Sequence, residues 1–195
     1  MKMSNRNVIY VEAPLRVDLD YYHSQGYVSV FLAGGISGCS DWQRDMAQFL
    51  TSRYWGHKLL IINPRRATYQ VGLNDGDEEE QITWEHDMLH AVDLIFFYFA
   101  PETVQPIVLF EFGYWLAKQP RKVCYVCHKD YPRLNDVWFQ FKNIAKRDAH
   151  IHGDLYADDR ESNVGHVLYE LSLSIITGSI DDAFLKKAED QCYEQ

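Results

Sequence analysis

Between Asp93 and Gly113 the chain reads DLIFFYFAPETVQPIVLFEFG, and few folds accommodate such a stretch. Its opening run, Leu94 to Phe99, is apolar, rich in β-preferring aromatics and too short for a helix of usual length. It reads as a strand buried on both faces, as in a parallel sheet. Pro101-Glu102-Thr103 breaks the run. A second apolar segment, Pro106 to Ala117, starts with a proline suited to the first turn of a helix, and Thr103 is placed to cap it. Because the segment is apolar nearly all round, it predicts a buried helix. One carboxylate interrupts it, Glu111, between Phe110 and Phe112. An unpaired buried carboxylate costs several kcal/mol, comparable to the net stability of a domain. Glu111 therefore requires a cationic partner or a chemical task.

The flanking segments alternate strand and helix. Tyr27 to Ala33 reads as a strand, followed by the turn Gly34-Gly35-Ile36-Ser37-Gly38. A helix capped by Ser40 or Asp41 comes next, with Trp42, Met46, Phe49 and Leu50 on one face. A glycine-rich turn between a strand end and a helix start is where backbone amides meet a ligand, although a simple tight turn explains it equally well. Lys58 to Ile62 is a further strand, ending in Asn63-Pro64-Arg65-Arg66, whose arginines are placed to hold a carboxylate or orient a ligand, or simply to lie at the surface. The acidic run Gly76 to Glu80 reads as a solvated loop, with Asp77 and Glu80 spaced as a capping box for a helix from about Glu78 to Ala91. On that helix Ile82, Leu89 and Val92 mark the apolar face, and Glu85 shares it by spacing. His86 and His90 lie one turn apart but lack a third metal ligand.

Lys122 to Cys127 is another strand. Cys124-Tyr-Val-Cys127-His128 spells a covalent-haem motif, yet positions three apart on a strand face opposite ways, so these read as buried strand cysteines. Asn7 to Glu12 is placed to add an edge strand, Ala149 to His152 a short one, and Asn163 to Ile176 an amphipathic helix.

The alternation predicts a single α/β domain with a mainly parallel sheet and helices on both faces. Residues 1–26 form an N-terminal extension, 27–178 the domain and 179–195 a charged tail. Ligands of such sheets sit beyond the strands' carboxyl ends. Phe31 to Gly38, Asn63 to Arg66 and Ala100 to Glu111 all come from those ends, so Glu85 and Glu111 are expected to converge there. Two acidic groups in one apolar cleft is the arrangement that breaks glycosidic bonds. A net charge of −9 without a basic stripe argues against a nucleic-acid polymer as partner. No apolar run approaches the ~18 residues of a membrane span and the N-terminus lacks a signal peptide's apolar core, so a soluble, cytoplasmic protein is expected.

Taken together these residues resemble the nucleoside 2-deoxyribosyltransferase-like superfamily, in particular a branch carrying FLAG, NPRR, EQI-x-WE and PET-x-x-PI-x-L-x-E-x-G. The matching residues are Phe31 to Gly34, Asn63 to Arg66, Glu80 to Glu85 and Pro101 to Gly113. The resemblance implies a flavodoxin-like, Rossmann-like fold and a homodimer or larger homo-oligomer whose neighbouring subunit completes each site. It also implies a nucleoside or nucleotide substrate, with no cofactor and no metal. By resemblance Glu111 is the nucleophile and Glu85 the second carboxylate, and Asn135 aligns with the asparagine given across the interface. Phe31, Gly34, Gly35, Ser37, Asn63, Arg65, Glu102 and Gln105 are the further candidate substrate-binding residues. The chain departs from the family pattern at three places. Phe31 stands where a tyrosine orients the nucleophile and Gln105 where an aspartate contacts the base. The glycine-rich turn has Ser37 and Ser40 but no phosphate-binding arginine.

The expected activity is N-glycosyl (deoxyribosyl) transfer through a glycosyl-enzyme on Glu111. The alternatives are hydrolysis of a nucleotide or NAD-like N-glycoside by the same residues, and nucleotide binding without turnover. Tyr114, Trp115, Trp138 and Phe139 are expected to supply an oligomer contact beside the pocket.

Overall fold

A computed structural model describes residues 7–53, 58–66 and 75–145. Five parallel strands form its sheet: β1 (Val8–Glu12), β2 (Tyr27–Gly34), β3 (Lys58–Asn63), β4 (Leu94–Phe99) and β5 (Val123–Cys127), in the order β1-β3-β2-β4-β5. Every residue of β4 and β5 is buried, as strands covered on both faces must be. The sheet is of the flavodoxin-like, Rossmann-like kind, and the expected edge strand is present, Val8 pairing with Leu59 and Glu12 with Asn63.

Five helices cover the sheet: α1 (Leu19–Ser24), α2 (Trp42–Arg53), α3 (Asp75–Ala91), α4 (Pro106–Lys118) and α5 (Leu134–Ala145). The chain steps from β2 outward to β3, then back across β2 to β4. With one crossover hand, a step in the opposite direction puts its helix on the opposite face. Accordingly Trp42, Met46 and Leu50 of α2 pack with Leu32 and Phe96 on one face. Trp84, Met88 and Leu89 of α3 pack with Phe112 and Trp115 of α4, beside Phe31 and Phe97, on the other. The reversal at β2 leaves a crevice beyond the carboxyl ends of β2 and β4, where such sheets bind ligands.

Several local expectations are corrected. α3 starts at Asp75, so the acidic run is helical rather than a loop and the Asp77–Glu80 pairing does not mark its start; acidic residues favour a helix's first turns. Its buried residues are Gln81, Trp84, Met88 and Leu89, while Ile82 is 66% exposed. α4 is buried on one side only, through Val108, Phe112, Trp115 and Leu116. Ile107 and Phe110 stand 66% and 72% exposed, so the apolar circumference marks an uncovered face, not a buried helix. Its N-cap is Gln105 in a left-handed conformation (φ 54°), not Thr103, whose hydroxyl instead meets Cys39 Sγ at 3.3 Å. Pro106 bars the right-handed helical region at the residue before it. At α2 the cap is Asp41, whose Oδ1 accepts from Arg44 N.

α1 and α5 were not anticipated. α1 has only six residues, too few to show a period, and rests on Asp18, which accepts from Tyr21 N at 3.0 Å. Cys124 and Cys127 are buried on opposite faces of the sheet, as the strand alternation requires. The expected elements at 149–152 and 163–176, and the charged tail, lie outside the described residues. Among the described residues no helix is long and apolar enough to cross a membrane.

Candidate active site

The glycine-rich turn after β2 is the floor of the site. A Cβ on Gly34 would lie 2.6 Å from the Tyr98 carbonyl oxygen and 2.4 Å from the Trp42 ring, so β2, β4 and α2 close up only around a glycine. At Gly35 a Cβ would meet Cys39 Sγ and the Gln105 carboxamide, again below 3 Å. Gln105 latches this turn to the start of α4: its Oε1 accepts from Gly35 N at 3.0 Å and its Nε2 donates to Ala100 O at 2.7 Å. Arg65 clamps the turn from the other side, donating to the carbonyls of Ile36, Cys39 and Ser40 and pairing with Asp41 at 3.3 Å.

Above the turn lies a cavity of about 900 Å³ between α3 and α4. Glu85 from α3 and Glu111 from α4 both line it. Their surroundings differ. Glu85 Oε1 accepts from Gln81 Nε2, which also donates to Pro64 O at 2.9 Å, and the Arg66 guanidinium lies close enough to favour its charge. Burial still outweighs those two effects and holds its pKa above the ordinary value. Glu111 has no hydrogen-bond or ion-pair partner among the described residues. Burial first, and then repulsion from Glu85, push its pKa up to about 8. Glu111 sits six positions into α4, beyond the first turn where the helix dipole would favour ionisation. Glu111 therefore holds its proton near neutral pH, while Glu85 is pushed the same way by burial, with the Gln81 donor and the Arg66 charge opposing the push.

Of the candidate residues, Phe31, Gly34, Gly35, Ser37, Gln105, Glu85 and Glu111 line this cavity, whereas Asn63, Arg65, Glu102 and Asn135 do not. Asn63 is buried and internally engaged, donating to Tyr10 Oη at 2.6 Å and accepting from Arg65 N at 2.9 Å. Arg65 grips main-chain carbonyls, so it shapes the turn instead of meeting a ligand there. Glu102 Oε1 accepts from Ser40 N at 3.3 Å, and Asn135 is exposed at the start of α5.

Arg66 and Gln81 also line the cavity, although neither was among the candidate site residues. Arg66 pairs with Glu80 at 3.2 Å with its side chain 11% exposed, and Gln81 anchors Glu85. The four-residue spacing of Gln81 and Glu85 on one helix was the available signal for the second. His86 and His90 stack with ring centroids 4.2 Å apart; His90 is engaged by the His86 carbonyl and by Lys118 Nζ, 2.9 Å from its Nε2. Around the cavity mouth Ile82, Val104, Ile107, Phe110 and Tyr114 are exposed, whereas Trp115, expected at the surface, is 2% exposed. Tyr114 and Phe139 are exposed as expected.

The sheet's switch point, the glycine turn at β2 and two carboxyl groups in unlike surroundings thus meet at one cavity. No curated protein matches the chain. Residues 27–131, from the first residue of β2 to just before α5 and more than half of the whole, match the family described as nucleoside 2-deoxyribosyltransferase like, and the chain belongs to that family.

Proposed function

We propose that this chain is an N-glycosyl transferase acting on nucleosides by double displacement. The observation that carries the reading is that Glu85 and Glu111, brought by different helices, line one largely apolar cavity at the sheet's switch point. In this reading the resting pair shares one proton, held on Glu111, and Glu85 is the anion, with Gln81 Nε2 donating to it. Glu85 takes that proton as substrate settles, leaving Glu111 anionic. The Glu111 carboxylate attacks C1′ while the C1′–N bond breaks, and the departing base receives the proton from Glu85. The proton that obstructs the nucleophile is thus the one the leaving group requires, and no external acid enters the balance. A second base then attacks C1′ from the open side, Glu85 removes its proton and Glu111 is released.

Water resolving the same intermediate would make the protein a hydrolase. That second reading is favoured by the open mouth, where nothing among the described residues covers Ile107 and Phe110. The exposed apolar rim supports a homo-oligomer in which a second copy of the chain packs against α4 and Asn135 reaches the neighbouring site.

The test is a panel of nucleosides incubated with and without an acceptor base, with products separated by chromatography. Transfer gives a new nucleoside only when acceptor is present; hydrolysis gives free sugar in both arms. A mass-spectrometric search for a glycosyl adduct on Glu111 accompanies it. Ligand binding with no product from any member, and no adduct, would end the catalytic reading.

A further inference from the structure

We infer that the segment preceding β2, which lies outside the residues matched to the family, sets the active site through Tyr10 and Asn63, positioning residues for Glu85 and for the glycine turn. The inference rests on the glycosyl-transfer reading for the use made of Glu85, and its test includes a readout that needs no turnover.

Asn63, the last residue of β3, is where the contacts meet. Its main-chain oxygen accepts from Ala13 N at 2.9 Å, its Nδ2 donates to Tyr10 Oη at 2.6 Å and its Oδ1 accepts from Arg65 N at 2.9 Å. Tyr10 donates its own proton to Glu12 Oε1 at 2.7 Å, so its oxygen is left as the acceptor for Asn63. Asn63 is buried, and a buried amide held at both oxygen and nitrogen has one orientation.

Two chains of contacts run from Asn63 to the site. One passes through Arg65, which grips the carbonyls of Ile36, Cys39 and Ser40 and thereby shapes the glycine turn. The other passes through Pro64, whose carbonyl accepts from Gln81 Nε2 at 2.9 Å, while the same nitrogen donates to Glu85 Oε1. That nitrogen has two hydrogens and both are committed, so the place of Pro64 O decides where Gln81 holds Glu85. The segment also reaches α3 directly: Leu15 O accepts at 3.1 Å from the indole Nε1 of Trp84, the buried neighbour of Glu85. Arg16 pairs with Asp87 on the same helix, but both ends are exposed and the pair adds little. Neither Tyr10 nor Asn63 lines the cavity, so both act through other residues. A displacement of about 1 Å caused far from the chemistry can cost on the order of 100-fold in rate.

Tyr10→Phe keeps the ring and removes the acceptor for Asn63 Nδ2. Glu85 is faced by Arg66 from the end of β3 and by Glu111 from α4, and the Gln81 donor favours its charged form. If the turn at Asn63 relaxes, that donor loosens and the charge loses support. Carbon-13 NMR of the whole chain should then show Glu85 titrating at a higher pH in Tyr10→Phe than in wild type. Val8→Ala is the control: it sits at the other end of β1, packs on the α2 side and should lower the melting temperature without moving the Glu85 titration. With a nucleoside that the protein turns over, Tyr10→Phe should lower kcat by as much as about 100-fold and leave KM nearly unchanged. An unmoved Glu85 or an unaltered kcat in Tyr10→Phe overturns the inference and leaves glycosyl transfer standing, and so does an equal shift of Glu85 in Val8→Ala. A shift of Glu85 confined to Tyr10→Phe, with no product from any nucleoside, supports the positioning role and overturns the glycosyl-transfer reading.

Discussion

Helices α3 and α4 each deliver one carboxyl group to the same cavity, yet they surround it differently. On α3 Glu85 has an amide donor one turn earlier and an arginine across the strand end. On α4 Glu111 has apolar neighbours, no donor among the described residues, and the other carboxylate for company. Phe31 sharpens the contrast, because the position where the family resemblance places a hydroxyl is a buried phenyl ring. The lesson is that chemically identical side chains become acid and base through what packs beside them. At the α3 group two side-chain contacts partly offset burial, whereas the α4 group has none and is held neutral near pH 7.

The sharpest way to break this comparison is Glu111→Gln. The change keeps the shape and removes the attacking oxygen anion, so turnover should fall by about 10⁴-fold or more while nucleoside binding persists. Stability should move the other way. The folded chain holds the Glu111 proton up to about pH 8, whereas the unfolded chain releases it near the ordinary value of 4.5. Between those values the native state binds the extra proton, so the wild-type chain loses stability as pH rises. Glutamine has no proton to lose. The variant should therefore be more stable than wild type by up to about 3 kcal/mol near pH 7, seen as a higher melting temperature, with the gain gone below pH ~4.5. A glutamine variant that melts markedly lower would show that Glu111 is half of a structural ion pair, whose breakage costs about 3–5 kcal/mol.

Glu85→Gln probes the other side. It removes the proton carrier, and general acid–base catalysis contributes about 10²–10⁴-fold, so turnover should fall within that range. It also removes the repulsion that helps raise Glu111. Titration of Glu111 by carbon-13 NMR should accordingly show a lower pKa in Glu85→Gln than in wild type. An unmoved value would mean that burial alone sets the α4 group.

Much of this was legible in the sequence because it depends on short-range pattern. The uninterrupted run from Leu94 to Phe99 announced a central strand, and the lone Glu111 in an apolar helix marked the cavity. What the sequence obscured was set by tertiary geometry. Arg65 and Arg66 are adjacent and alike, yet one grips three carbonyls and the other lines the cavity, a split decided by which way each points at the end of β3. Ile82 looked like a core position by spacing but borders the cavity mouth, since the packed face of α3 is set by Trp84 and Met88. α5 carries a readable pattern, since Leu134, Val137, Phe141 and Ile144 recur at helical spacing and pack on the same core as α4. Glu102 read as a site residue because it follows β4, but its carboxylate is directed to the Ser40 amide.

The pH profile gives a smaller and more diagnostic effect. If the pair must carry one proton, kcat/KM should level off near neutrality and fall above about pH 8, where the Glu111 proton is lost. The decline should be about tenfold per pH unit. Activity that rises through pH 8 would mean that Glu111 attacks as a pre-existing anion and that the proton for the leaving base comes from elsewhere.

The smallest expected effect belongs to Arg66, and it separates the two helices most finely. Arg66 favours the charged form of Glu85, partly offsetting burial. Arg66→Met keeps the length and apolar stem of the side chain and removes the charge. Its partner Glu80 is 57% exposed and can turn to water, so stability should change by no more than about 1 kcal/mol. Without the guanidinium, Glu85 becomes a stronger base and takes up a proton at a higher pH. The acid limb of the kcat/KM profile should therefore move upward, narrowing the plateau, with a loss of a few-fold at pH 7. The alkaline limb, which reports Glu111, should stay within a few tenths of a unit, because repulsion from Glu85 is only the lesser cause of its shift. If Arg66→Met instead lowers the whole profile without moving its acid limb, the guanidinium meets the substrate rather than Glu85. The support for charge on α3 would then reduce to the Gln81 hydrogen bond alone.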